Sequence, residues 1–219
     1  LVFRQKLFLL VVPALLGLLY FAGESIVSEL GQRRSSAAIE QLVNLTAKNS
    51  QLVHELQKER GATAGFLGSQ GKKFGEILAQ QRKDTNSAAK VRNDFLSLST
   101  AEIESQRVLT TLKEIGAALQ RLDSIRSRVD RQDIPVKEAI GYYTKLNTSL
   151  LAVSAEVAGL ANDGLLANQL QAFYNFLQGK ERAGIERAVL SNTFGGDRFA
   201  PTMYRRFVQL VTEQDAYLD

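Results

Sequence analysis

From Glu24 onward the chain holds only two prolines, Pro135 and Pro201, and almost no alternation of apolar with polar residues. Apolar residues recur instead every three or four positions, the period of a helix face. With so few breakers, the chain is committed to long helices. The first is predicted over 24–67, closed by Gly68-Ser69-Gln70-Gly71. A second covers 74–98. Ser99-Thr100-Ala101-Glu102 has capping-box spacing and opens a third, which runs to Asp130. Asp133-Ile134-Pro135 breaks it, because the residue before proline is pushed out of helical geometry. The fourth spans 136–161 and stops at Asn162-Asp163-Gly164; the fifth spans 165–194 and stops at Gly195-Gly196-Asp197. The sixth starts near Pro201, a favoured first-turn residue, and is still helical at Asp219. A helix of about 28 residues is roughly 42 Å long, and short connections make sequential helices antiparallel. The fold class is therefore all-α, an elongated antiparallel helical bundle.

Composition closes several functional classes. Cysteine is absent and His54 is the single histidine, which removes disulfides, Cys-zinc sites and multi-histidine metal sites. No cofactor is expected. Glu55, Glu59 and Glu186 have no nucleophile or Gly-rich phosphate loop to work with, so the chain does not read as an enzyme. The formal charge is +4, from 27 Lys and Arg against 23 Asp and Glu. Setting aside Arg4 and Lys6 leaves 25 against 23, or +2, with no basic stripe interleaved with aromatics, so nucleic acid is not expected as a partner.

Residues Leu7 to Gly23 carry no charge. A helix needs roughly 20 such residues to cross a bilayer, and a membrane helix accepts the proline at 13. An Ala-x-Ala cleavage pattern is missing, which favours an uncleaved anchor over a signal peptide. Residues 1–23 are therefore expected to form a cytoplasmic N-terminus and transmembrane helix. Arg4 and Lys6 would keep the N-terminus inside, leaving 24–219 as a periplasmic helical sensor domain on the bacterial inner membrane. The chain opens on Leu1 rather than Met, and its sixth helix is still running at Asp219, so it reads as a fragment whose domain is incomplete at the C-terminal end.

Two segments combine Lys-Glu-Arg with small residues at helical spacing: Glu55 to Leu67, and Gly179 to Ser191. In the first helix a stripe runs Val53, Leu56, Arg60, Thr63, Leu67. In the fifth it runs Phe173, Phe176, Lys180, Ala183, Arg187, Leu190, Phe194. Arg60 and Arg187 both fall on these stripes, while Arg182 lies about 140° around the helix from Arg187. Charged residues are seldom buried unpaired. One reading is ion pairing between antiparallel helices, Glu59 with Arg187 and Arg60 with Glu186. The other is an anion site between the helices, because a guanidinium offers a rigid fork of donors to a planar oxyanion. Thr63, one turn beyond Arg60, either hydrogen-bonds a ligand or fills a crowded helix contact. His54 reads as a surface histidine. Tyr142, Tyr143, Phe173, Tyr174 and Phe176 read as core aromatics, and Tyr204 and Phe207 as packing for the sixth helix.

The string from His54 to Gly68, Gln80 to Thr85, Lys180 to Ala188 and Arg198 to Phe207 resemble, in order, the motifs of the nitrate- and nitrite-sensing (NIT) domain. The resemblance covers about 40–219. It implies an all-helical domain of two stacked four-helix-bundle units, found in chemoreceptors, sensor kinases and transcription antiterminators. It also implies nitrate or nitrite held by arginines on different helices. Arg60 and Arg187 match the recurrent motif arginines, and Arg182 a variable position. The expected role is thus the ligand-binding sensor of a methyl-accepting chemotaxis protein, with a small inorganic anion, the inner membrane and a second copy of the chain (a homodimer) as partners. A sensor of another anion, or a stalk without a ligand, are the competing readings.

Overall fold

A computed structural model describes the chain apart from residues 1, 2, 100–102, 104, 162, 197, 200, 201 and 219; the side chains of 3–11, 13, 14, 30–36 and 218 also lie outside the description. It contains α1 Phe3–Gly68, α2 Gly75–Ser99, α3 Gln106–Asp130, α4 Val136–Ala158, α5 Gly164–Gly196 and α6 Met203–Leu218. Among the described residues there is no strand. The all-helical expectation holds and most boundaries fall within three residues of those predicted. The third helix differs. It starts at Gln106, with Ser105 as its cap accepting from the Val108 amide, while Ser99 is the last residue of α2. The remainder of the proposed capping box, 100–102, lies outside the described residues, as does Pro201.

Contacts divide the chain into a unit at Leu1–Glu40 and a unit at Gln41–Asp219. In the first, the side chains of Leu15, Leu16, Leu18, Leu19, Tyr20 and Phe21 are exposed. Among the described residues no helix is long and apolar enough to cross a membrane. The transmembrane helix expected at Leu7–Gly23 therefore does not stand, and the inner-membrane and periplasmic assignments built on it go with it. The uncharged run between Lys6 and Glu24 holds 17 residues, short of the roughly 20 that a bilayer asks for. The side chains of Arg4 and Lys6 lie outside the description.

The second unit is held by its turns and its core. After α1 the chain reverses through Gln70 and Gly71, both at positive φ, with the Gly71 amide bonded to the Phe66 carbonyl at 2.9 Å. After α3, Gln132 takes positive φ and Pro135 opens α4. The main core joins Leu45, Leu52 and Leu56 of α1 to Val108 and Ile115 of α3, Tyr143, Leu150 and Val157 of α4, and Leu177 of α5. Helix α2 adds little apolar surface and instead buries Gln81, Thr85 and Arg92.

Helix directions follow from these contacts. Gln81 meets Glu55 and Arg92 meets Asn49, so α2 is antiparallel to α1. Thr111 meets Glu156 and Tyr142 meets Ala118, so α4 is antiparallel to α3. Helix α6 packs on α5 through Ile185, Val189 and Leu210, with Gln214 on Glu186 and Arg182 over the Tyr217 ring. Tyr143 is fully buried as expected, and Phe207 packs beside the α5–α6 cluster. Phe173, Phe176 and Tyr204 are exposed instead, Phe176 by 56%.

Candidate functional site

Helices α1 and α5 run parallel and touch through glycines. A Cβ on Gly195 would stand 2.9 Å from the Gly65 carbonyl oxygen, one on Gly68 would stand 2.9 Å from that of Asn192, and one on Gly184 would meet Arg60 Nη2 at 2.7 Å. Residue numbers rise together along both helices, which excludes the antiparallel pairs expected from the sequence. Neither Glu59–Arg187 nor Arg60–Glu186 forms.

Arg60 is fully buried, as its stripe predicts, and its partner is Glu181 on α5. Nη1 donates to Oε1 at 2.5 Å and Nη2 to Oε2 at 3.3 Å. Thr144 of α4 accepts from Nη1 at 3.0 Å. Glu181 also accepts from Gln57 Nε2 at 2.7 Å and Asn147 Nδ2 at 3.2 Å, so its carboxylate ties α1, α4 and α5 together. Arg60 Nε has no hydrogen-bond partner. Removing two charges from water costs several kcal/mol per ion, which is offset only when the surrounding donors and acceptors are satisfied.

Beside it lies a second buried pair that the sequence did not suggest. Arg126 of α3 donates to both oxygens of Glu59, from Nε and Nη2, at 2.8 Å each, and the Tyr143 hydroxyl donates to Glu59 Oε1 at 2.8 Å. Burial opposes the charge of Arg126, but the bonds and field of Glu59 outweigh it and raise its pKa. Burial first, then the Glu59 charge, pushes the Tyr143 phenol up, while the hydroxyl of Thr63 opposes the shift. Thr63 is thus fully buried beside Tyr143 and one turn from Arg60.

Arg187 does not share Arg60's burial. It is exposed, and its Cδ lies 4.0 Å from where a Cβ on Gly61 would stand. The face that α5 buries is Leu177, Glu181, Gly184, Ile185 and Ala188, one position round from the stripe read in the sequence. Close approach requires the glycine-bearing face, which leaves Phe176 and Phe194 outside. Around Arg187 gathers a cationic surface. His54 is exposed and has its pKa lowered, by burial first and then by Lys180, with Lys58 and Arg187 adding. Lys180 is lowered by burial and then by Arg187. Glu55 is the acid among them, bonded to Lys58 at 2.7 Å. Arg182 is engaged elsewhere: its Nε is 2.8 Å from Glu213 of α6 and its guanidinium covers Tyr217 at 5.4 Å. A cavity of about 530 Å³ opens where α1 and α5 end, lined by Lys72, Lys73, Asn192 and Arg198 among others. None of Arg60, Arg182 and Arg187 lines it.

The family model described as nitrate and nitrite sensing matches residues 51–219. The chain belongs to the NIT family. A nitrate regulatory protein of Klebsiella oxytoca is 27% identical over 194 residues, which is 86% of this chain and 47% of that protein. The solved structure of the NasR transcription antiterminator superposes with a TM-score of 0.77 at 26% identity, over 86% of this chain and 52% of that one. The NIT chain thus spans about half the length of these relatives. Two expectations change. Its relatives are regulators of transcription and nitrate response by name, so the exclusion of nucleic acid as a partner does not stand. Nor do the comparisons carry the chemoreceptor assignment or its membrane partner.

Proposed function

We propose that this NIT chain senses nitrate or nitrite through Arg60 and Arg187 at the α1–α5 seam. The observation that carries the reading is the burial of Arg60 in a seam where Arg187 lies against Gly61, one residue away. Arg60 would grip a planar oxyanion from inside and Arg187 from the exposed side, with Thr63 supplying a hydroxyl. Lys180 and Lys58 flank the approach and raise the local concentration of small anions. Arg182, held by Glu213, acts as a brace between α5 and α6 rather than as a ligand.

Glu181 makes such a site a switch. Its carboxylate occupies the donors of Arg60 that an oxyanion would use. An arriving anion competes for them, and freeing Glu181 loosens the contact among α1, α4 and α5. Binding energy is in this way converted into a change of helix spacing.

The test is calorimetric titration of the chain with nitrate and nitrite, together with thermal melts. At about 100 Kd of nitrate the stabilisation is roughly 2.7 kcal/mol. Chloride at equal ionic strength gives less, since a sphere cannot engage two forks bidentately. Arg187→Ala abolishes the heat of nitrate binding with the helical signal intact. A second reading, favoured by the saturation of Arg60 by Glu181, is a structural ion pair without a ligand. Absence of heat for both anions in the wild-type chain selects it.

A further inference from the structure

Arg92 is the exception among the buried arginines. Arg60 has Glu181 and Arg126 has Glu59. Arg92 is 1% exposed and has no carboxylate partner among the described residues. Its Nε donates to Asn49 Oδ1 at 2.8 Å and its Nη1 to Asn93 Oδ1 at 2.9 Å, both neutral acceptors. Two donors of this pair, Arg92 Nη2 and Asn49 Nδ2, have no protein partner, and Asn49 is fully buried. Burial lowers the Arg92 pKa to about 10, with no opposing charge to hold it up. The group is therefore still a cation at neutral pH, inside the bundle, with its charge uncompensated.

A buried charge persists only when it is paired. The shape of the surroundings says what can pair with it. On α1, Asn49 sits between Leu45 and Leu52, which are both buried, and on α2 the buried Ala88 lies one turn before Arg92. Antiparallel register with α4, fixed by Tyr143 at Glu59 and by Asn147 on the carboxylate that also holds Gln57, brings Ser154 level with Asn49. The Ser154 hydroxyl is buried and has no protein partner either. Three unpartnered donor groups are thus available in one layer of an apolar core. An occupant must shed all its water, which penalises divalent oxyanions far more than a monovalent halide.

We propose that Arg92 Nη2 and Asn49 Nδ2 form the donor half of a buried halide site between α1 and α2, distinct from the Arg60–Arg187 seam. Chloride held there completes the charge of the core and ties α2, which contributes little apolar surface, to α1.

The experiment compares thermal midpoints of the chain in sodium chloride and in sodium gluconate at equal ionic strength, gluconate being too large to enter. Wild type and Arg60→Ala are both expected to melt about 2–4 °C higher in chloride, which separates this site from the seam. Asn49→Asp places a carboxylate on Arg92 without changing side-chain size. It is expected to fold, to be at least as stable as wild type in gluconate, and to lose the chloride response. A bromide-soaked crystal should show an anomalous peak within hydrogen-bond distance of Arg92 Nη2. The proposal is overturned by equal midpoints of wild type in the two salts, by an undiminished chloride response in Asn49→Asp, by Asn49→Asp being less stable than wild type in gluconate, or by a bromide map without that peak.

Discussion

Gly184 and Arg60 occupy one another's space: a Cβ at 184 would lie 2.7 Å from Arg60 Nη2 and 3.2 Å from Gln57 Cγ. The glycine is what allows a fully buried guanidinium to lie flat against α5 and reach Glu181. The same seam continues at Gly68–Asn192 and at Gly65–Gly195, and a Cβ on Gly195 would meet only backbone atoms, which cannot swing away.

That difference in neighbours predicts opposite outcomes for one type of substitution. Gly195→Ala should destabilise the chain by about 1–3 kcal/mol, because a Cβ there meets the Gly65 carbonyl. Gly141→Ala, in the middle of α4 with nothing within 4 Å, should stabilise by about 0.5–1 kcal/mol through helix propensity and reduced unfolded-state entropy. Urea unfolding of both variants checks the sign.

Removing the charge of Glu59 leaves Arg126 buried against a neutral amide. Glu59→Gln should cost about 3–5 kcal/mol, far more than losing an exposed pair such as Lys90–Asp94, at about 0–1 kcal/mol. Chemical denaturation of Glu59→Gln and Asp94→Asn measures the contrast.

Glu181→Gln distinguishes a built-in counter-ion from a purely structural one. It should destabilise the chain in chloride-free buffer by about 3–5 kcal/mol. If an oxyanion takes the same donors of Arg60, nitrate should raise the melting temperature of Glu181→Gln more than that of wild type. An equal shift in the two proteins would show that nitrate does not compete with Glu181.

His54 gives a pH signature. Its pKa is lowered in the folded chain, by burial and then by Lys180, so the unfolded chain binds a proton more readily than the folded one. The associated stability is present above the unfolded pKa of about 6.5 and is lost as pH falls through the lower folded value. His54→Gln should therefore show a shallower loss of stability on acidification below pH 6.5 than wild type. Melting temperatures across that range, compared between the two proteins, decide it.

The helices were legible because their cause is local. Apolar residues at three- and four-residue spacing, Pro135, and the glycines after 67 and 194 act within one turn. Arg60 could also be placed inward, since Val53, Leu56 and Thr63 share its face. What local pattern could not supply was the direction of α1 relative to α5, two helices separated by more than a hundred residues. Nor could it say that α3 lies against Glu59, so Glu181 of α5 and Arg126 of α3 were both out of reach while Glu186 and Arg187 were named. The α5 stripe was likewise misread by one position, because Phe173, Phe176 and Phe194 are larger than Gly184 and Ala188 and weigh more in any count of hydrophobicity. Close packing reverses that weighting: backbones approach where side chains are small. The sequence by itself determined an all-helical chain with arginines committed to its core. Only the tertiary structure decided which acid each arginine meets, and that Arg92 meets none among the described residues, because ion pairing is settled by distance in three dimensions and not by spacing along one helix.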